Sequence, residues 1–257
     1  MITFADSVTA LDAGHAGAVL ITGSHAGAVA AWYAAQGGVR AAIFNDAGSG
    51  LDDAGVAGLI LLERIAMAAA AVAHTSARIA DARDTHDAGV ISKVNAFAAQ
   101  LGVVPGMRCP DAARKLVDAP LPSGTLDRQA PLRVVLAPNV IGLDSIGLVL
   151  PDDAGAILVI GSHGALHGGD PASALEVAAR AAFFHDAGGG KDGAGYSRLP
   201  VLAARGVPAA TVDHRTARIG DARSLWATGV LSQVNAPMLR AGAMIGMRVQ
   251  DAVRLAG

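Results

Sequence analysis

Serine, histidine, aspartate and arginine recur in this chain in an order that invites chemistry. Gly23-Ser24-His25 follows the aliphatic run VLIT, and Gly161-Ser162-His163 follows ILVI. Asp46 and Asp186 each open an Asp-Ala-Gly-x-Gly segment, and His74 and His214 each close a third apolar run. Arg78 and Arg83 then fall in ARIADAR, and Arg218 and Arg223 in ARIGDAR. Two chemistries use such a set. In one, Ser24 or Ser162 is a nucleophile or orienting hydroxyl, a histidine is its base, Asp46 or Asp186 orients the base, and loop amides at Gly48 or Gly188 hold the oxyanion. Side chains adjacent on a strand point to opposite faces, so His74 and His214 are better partners for these serines than the neighbouring His25 and His163. In the other, His25, Asp46 and His74, or His163, Asp186 and His214, hold a divalent metal that activates water, and His185 enriches the second set. In either, a planar guanidinium at Arg78, Arg83, Arg218 or Arg223 would recognise a substrate carboxylate through two parallel donors.

Each residue also has a structural role to weigh. Gly23 and Gly161 permit a sharp turn, with Ser24 and Ser162 capping the next helix. Asp52 and Asp192 sit where helix caps are expected. Asp46 and Asp186 can order a glycine-rich loop through its amides. The arginines can form an internal ion-pair network with Asp81 and Asp221.

The elements that position these residues come as a repeat. Gly161 follows Gly23 by 138 residues, whereas Asp186 follows Asp46 by 140, and the longer spacing then holds without a gap through Gly106-Met107-Arg108 and Gly246-Met247-Arg248. Ser92, Asn95 and the segment around Gly89 all recur. This predicts two tandem homologous halves, 1–116 and 136–257, joined by an exposed linker at 117–135. In each half apolar strand runs alternate with helical patterns. The strands are AVLITG, AAIFND and AAAVAH, matched by GAILVIG, AAFFHD and PAATVDH. The helices are AVAAWYAAQ, DDAGVAGLILLERIA and DAGVISKVNAFAAQLG, matched in part by ASALEVAAR and YSRLPVLAARG. LRVVLAP adds a further strand. The expected fold is a three-layer α/β protein with a mostly parallel sheet and pseudo-twofold symmetry, as two lobes or one continuous sheet. Ligands of such sheets bind beyond the carboxyl ends of the strands, where the Ser, Asp and His positions fall.

Composition narrows the partners. The chain has 257 residues, of which 52% are hydrophobic and 16% charged, with a net charge of −2. Its isoelectric point is near 6.4 and its mean hydropathy +0.42. That is enough to bury a large core, and nothing in it attracts nucleic acid or an anionic membrane. Cys109 is alone, which excludes an intramolecular disulfide, and no leader or bilayer-length apolar stretch is evident, so a cytoplasmic protein is expected. Gly-x-Ser-x-Gly, phosphate-loop, HExxH and CxxC motifs are missing. Gly188, Gly190 and Gly193 satisfy a dinucleotide pattern with Asp213 about 20 residues on, but Asp53 and Ala73 break it in the first half.

The expected function is hydrolysis of a small polar amide or ester bearing a carboxylate, without a cofactor, by a protein able to self-associate. The alternatives are a divalent-metal hydrolase or lyase on the His/Asp set, and a noncatalytic small-molecule binding protein.

Overall fold

The computed structural model describes residues 1–256. Two compact units divide the chain. Unit 1 contains Met1–Ser49, Asp53–Ala130 and the short segment Gly190–Asp192; unit 2 contains Gly50–Asp52, Pro131–Gly189 and the chain from Gly193 onward.

Unit 1 runs β1 (Ile2–Ala5), β2 (Val19–His25), α1 (Ala28–Gln36), β3 (Ala41–Asn45), α2 (Ala57–Glu63), β4 (Ala68–Val72), α3 (Ala82–Ala88), β5 (Ile91–Val94), α4 (Ala96–Gln100) and α5 (Cys109–Leu116). Its five strands lie in the order β1-β2-β3-β4-β5. β1 to β4 are parallel and β5 is antiparallel. Strand residues alternate between two apolar clusters. Leu20 and Phe44 enter one with Leu62 of α2, while Ile21 and Ile43 enter the other with Leu116 of α5. A sheet covered on both faces needs apolar residues at successive positions, and VLIT and AAIF supply them.

Unit 2 runs β6 (Arg133–Ala137), β7 (Val140–Leu143), β8 (Ile157–His163), β9 (Ala181–His185), α6 (Arg198–Ala204), β10 (Ala209–Val212), α7 (Ala222–Thr228), β11 (Leu231–Val234), α8 (Ala236–Arg240) and α9 (Val249–Ala256). Its six strands lie in the order β11-β10-β9-β8-β7-β6. β7 to β10 are parallel, with β6 and β11 antiparallel at the edges. Val159 and Phe183 face one cluster, Leu158 and Phe184 the other. The strands thus form two separate three-layer α/β sheets, not one continuous sheet. Among the described residues no helix is long and apolar enough to cross a membrane.

Three expectations are corrected. DAGVISKVNAFAAQLG is not one helix but the end of α3, then β5, then α4. A Cβ at Gly89 would stand 2.2 Å from the Thr85 carbonyl oxygen, and the chain turns out there into an alternating run with Ile91 buried and Lys93 exposed. Asp52 and Asp192 cap nothing: both have left-handed backbone, at φ 56° and 54°, and α2 and α6 begin later, at Ala57 and Arg198. Instead of a helix, ASALEVAAR starts in one short 3-10 turn, Pro171–Ser173, and continues as irregular bends. Arg198, fully buried, reaches the Ser173 and Ala174 carbonyls and occupies them with donors other than helical amides. The connection at 117–135 is mostly exposed and is tied down in places: Leu126 enters the unit 1 core, and the Ser123 amide donates to the Ile65 carbonyl.

Candidate functional site

The Gly-Ser-His ends of β2 and β8 are engaged in holding the fold. A Cβ at Gly23 would lie 2.3 Å from the Asp81 nitrogen, and one at Gly161 would lie 2.6 Å from that of Asp221. Glycine lets the segment entering α3 or α7 pass against the strand, where the Ala80 and Gly220 amides donate to the Gly23 and Gly161 carbonyls. The Ser24 hydroxyl accepts from the Val8 amide at 3.0 Å, and that of Ser162 from the Ile146 amide at 3.1 Å. These serines therefore secure the preceding loop, not the following helix. His25 Nδ1 accepts from the Gly27 amide, and His163 Nδ1 from that of Ala165 at 3.4 Å.

At the next two strand ends of unit 1 the polar groups converge. Asp46 Oδ1 accepts from His74 Nδ1 at 2.8 Å, from the His74 amide at 2.9 Å and from the Gly48 amide at 3.0 Å. Its Oδ2 accepts from the Ser92 hydroxyl at 2.7 Å. Burial pushes this carboxyl upward, but the hydrogen bonds from His74, Ser92 and Gly48 outweigh it and hold the pKa below the ordinary value. An ionised Asp46 fixes the proton on Nδ1 and leaves Nε2 of the partly exposed His74 as the basic nitrogen. The Gly48 amide serves Asp46, and Ala47, Gly48, Ser49 and Gly50 all have positive φ, a left-handed turn that folds the loop back onto the carboxylate. The Gly190–Asp192 segment closes this side of unit 1. The Lys191 amide donates to the His74 carbonyl, and its ammonium pairs with Asp84 at 2.6 Å.

Unit 2 repeats the frame with different detail. Asp186 Oδ1 accepts from the Gly188 and His214 amides, each at 2.9 Å. His214 Nδ1, however, is 3.4 Å from Asp186 and 3.4 Å from Asp213, and this buried atom has no hydrogen-bond partner. Asp186 raises the imidazole's pKa against the opposing effect of burial, and Asp213 adds to the rise. The Ser232 hydroxyl serves Asp186 as Ser92 serves Asp46, and it also contacts the Thr211 hydroxyl at 3.0 Å, where unit 1 has Ala71 in the matching place. His185 is fully buried behind the site, with Nε2 donating to Ala217 and Nδ1 accepting from Ala187. Burial lowers its pKa to about 4. Among the described residues, metal-ligand atoms gather at Asp186, Asp213 and His214. The expected sets His25-Asp46-His74 and His163-Asp186-His214 do not gather in this way.

The arginines divide by role. Arg78 bonds Asp192 at 2.6 Å and lies 3.4 Å from Asp84; Arg218 pairs with Asp52 at 2.5 Å. Both are ion-pair residues whose forks are already taken by carboxylates. The Arg83 guanidinium stands 4.5 Å over the Phe4 ring, and Arg223 lies close enough to Asp144 to act on its charge.

Ser92 and Ser232 are the site residues that sequence reasoning missed. Their recurrence was visible, but the segment holding them reads as a helix, and only a strand paired with β4 brings Ser92 to Asp46.

The chain matches no family model, no curated protein and no solved structure.

Proposed function

We propose that the protein is a cytoplasmic hydrolase of a small carboxylate-bearing amide or ester, in which His74 Nε2 acts as general base on water. The 2.8 Å bond from His74 Nδ1 to Asp46 carries this reading, because it fixes the tautomer and stabilises the imidazolium that forms when Nε2 takes a proton. Ser92 and the Gly48 amide hold Asp46 in place, and Arg83 is the proposed anchor for the substrate's charge. Ser24 and Ser162 act as structural hydroxyls, not as nucleophiles. Strong matching of the two units' hydrogen bonds supports descent of both from one ancestral half.

The test is turnover across a panel of carboxylated amides, esters and lactams. His74→Gln and Asp46→Asn should each lower kcat by about 10²- to 10⁴-fold, while the Ser24→Ala, Ser162→Ala double variant keeps most of its activity. Unchanged turnover in His74→Gln would sink the general-base role. Binding without turnover throughout the panel would favour the noncatalytic binding protein.

A further inference from the structure

We infer that Asp186, Asp213 and His214 form a divalent-cation centre in unit 2, with a donor set suited to zinc or manganese. The centre is independent of the His74 reading, which concerns unit 1.

The geometry is that of a ligand set. One donor atom from each residue lies within 4.8 Å of the others. His214 Nδ1 is 3.4 Å from an oxygen of Asp186 and 3.4 Å from one of Asp213. Metal–nitrogen and metal–oxygen bonds near 2.0–2.1 Å give a tetrahedron with edges of about 3.3 Å, which the two edges from His214 Nδ1 already match, and the two carboxylate oxygens lie within 4.8 Å of each other. A direct hydrogen bond would instead have drawn one pair together, as it does between His74 and Asp46 at 2.8 Å. Unit 1 has Ala73 where unit 2 has Asp213, so it lacks the second carboxylate.

The state of His214 points the same way. Its Nδ1 is buried with no hydrogen-bond partner, and an orphaned buried nitrogen is costly unless something meets its lone pair or proton. Asp186, with its side chain only 5% exposed, is oriented by the Gly188 and His214 amides on Oδ1 and by the Ser232 hydroxyl, so the oxygen that stands 3.4 Å from His214 Nδ1 is held in place to meet a metal. Carboxylate and imidazole together suit zinc or manganese better than magnesium or calcium. Arg215 covers Asp213, with Nη2 at 2.5 Å. Its Nε also bonds both Asp213 oxygens and its amide bonds Oδ1, so a cation must displace this fork, and the side chain, 76% exposed, is free to swing into solvent when it does. Three protein donors leave room for a water molecule, whose proton the metal would make easier to remove.

The experiment uses the full chain, stripped with chelator and titrated with zinc chloride and with manganese chloride. Calorimetry and elemental analysis give affinity and stoichiometry. The wild type should take up one equivalent. Asp213→Ala, which installs the residue found at the matching place in unit 1, should weaken binding at least 100-fold, and His214→Gln should do the same. Arg215→Ala should tighten binding several-fold by uncovering Asp213, and His74→Gln should leave it unchanged. If the wild type takes up no metal, or if Asp213→Ala and His214→Gln bind it as the wild type does, the centre is wrong. Because the readout is bound metal, its failure is separable from failure of the hydrolase reading.

Discussion

At the scale of single residues, Asn45 and His185 show how two unlike side chains fill one role. Asn45 donates to the Ala77 carbonyl and accepts from the Ala47 amide; His185 donates to Ala217 and accepts from Ala187. The histidine can do both only when neutral, with its proton on Nε2, and burial lowers its pKa from 6.5 to about 4. In that interval the unfolded chain binds the proton and the folded one does not, so stability rises with pH from 4 to 6.5. Acidification from pH 7 to pH 5 should therefore cost about 2 kcal/mol through this group. His185→Asn should remove that loss while keeping both bonds, which urea midpoints of the two proteins at pH 7 and pH 5 will check. Asp46 behaves oppositely. Its depressed pKa contributes stability above the ordinary carboxyl range that disappears only as the pH falls below about 4.

At the scale of elements, two asparagines and Gly23 hold the site's frame. Asn95 caps α4 by accepting from Ala98, accepts also from Ala69, and donates to Met67 and Leu59, all while buried. Asn235 repeats the set with Met238, Ala209, Val207 and Leu199. Each joins the end of the antiparallel strand to the start of the neighbouring parallel one, and so sets where Ser92 and Ser232 fall. Truncation to alanine orphans several buried groups and should cost about 2–4 kcal/mol at either position in chemical denaturation. Gly23 is stricter, because its added Cβ would strike backbone. Gly23→Ala should lower stability by more than about 3 kcal/mol. Gly17 has φ +70° but open space around it, so its alanine variant should lose only about 1 kcal/mol.

At the scale of the whole molecule, each sheet is sealed on both faces, and Cys109 gives a direct probe of that seal. The thiol is buried in the α5 layer of unit 1, and burial raises its pKa to about 12. Since the thiolate is the reactive form, the native protein should resist a disulfide reagent at pH 8, with labelling at least a hundred-fold slower than in denaturant. Rapid native labelling would show that the layer opens readily. The two units also part company chemically within a shared framework. Unit 1 sets the Lys191 amide on the His74 carbonyl and pairs the Lys191 ammonium with Asp84, whereas unit 2 places Asp213 beside His214 and packs the Tyr196 ring against Gly189, where φ is +72°.

The sequence by itself determined the α/β class, the strand runs of both halves and the recurrence of Asp46, His74 and their counterparts, because buried parallel strands need continuous apolar runs and retained polar residues stand out at their ends. It did not reveal β5 and β11, since an alternating four-residue strand between two short helices has the composition of one long helix. Nor could it rank the serines. Ser24 and Ser162 stood in a conspicuous motif, yet their partners are loop amides sixteen residues upstream, while Ser92 reaches Asp46 across forty-six residues. Contacts between residues so distant along the chain are set by strand order and register. Only the tertiary structure decided which hydroxyl met which carboxylate, and that unit 2 gathered two carboxylates around one histidine.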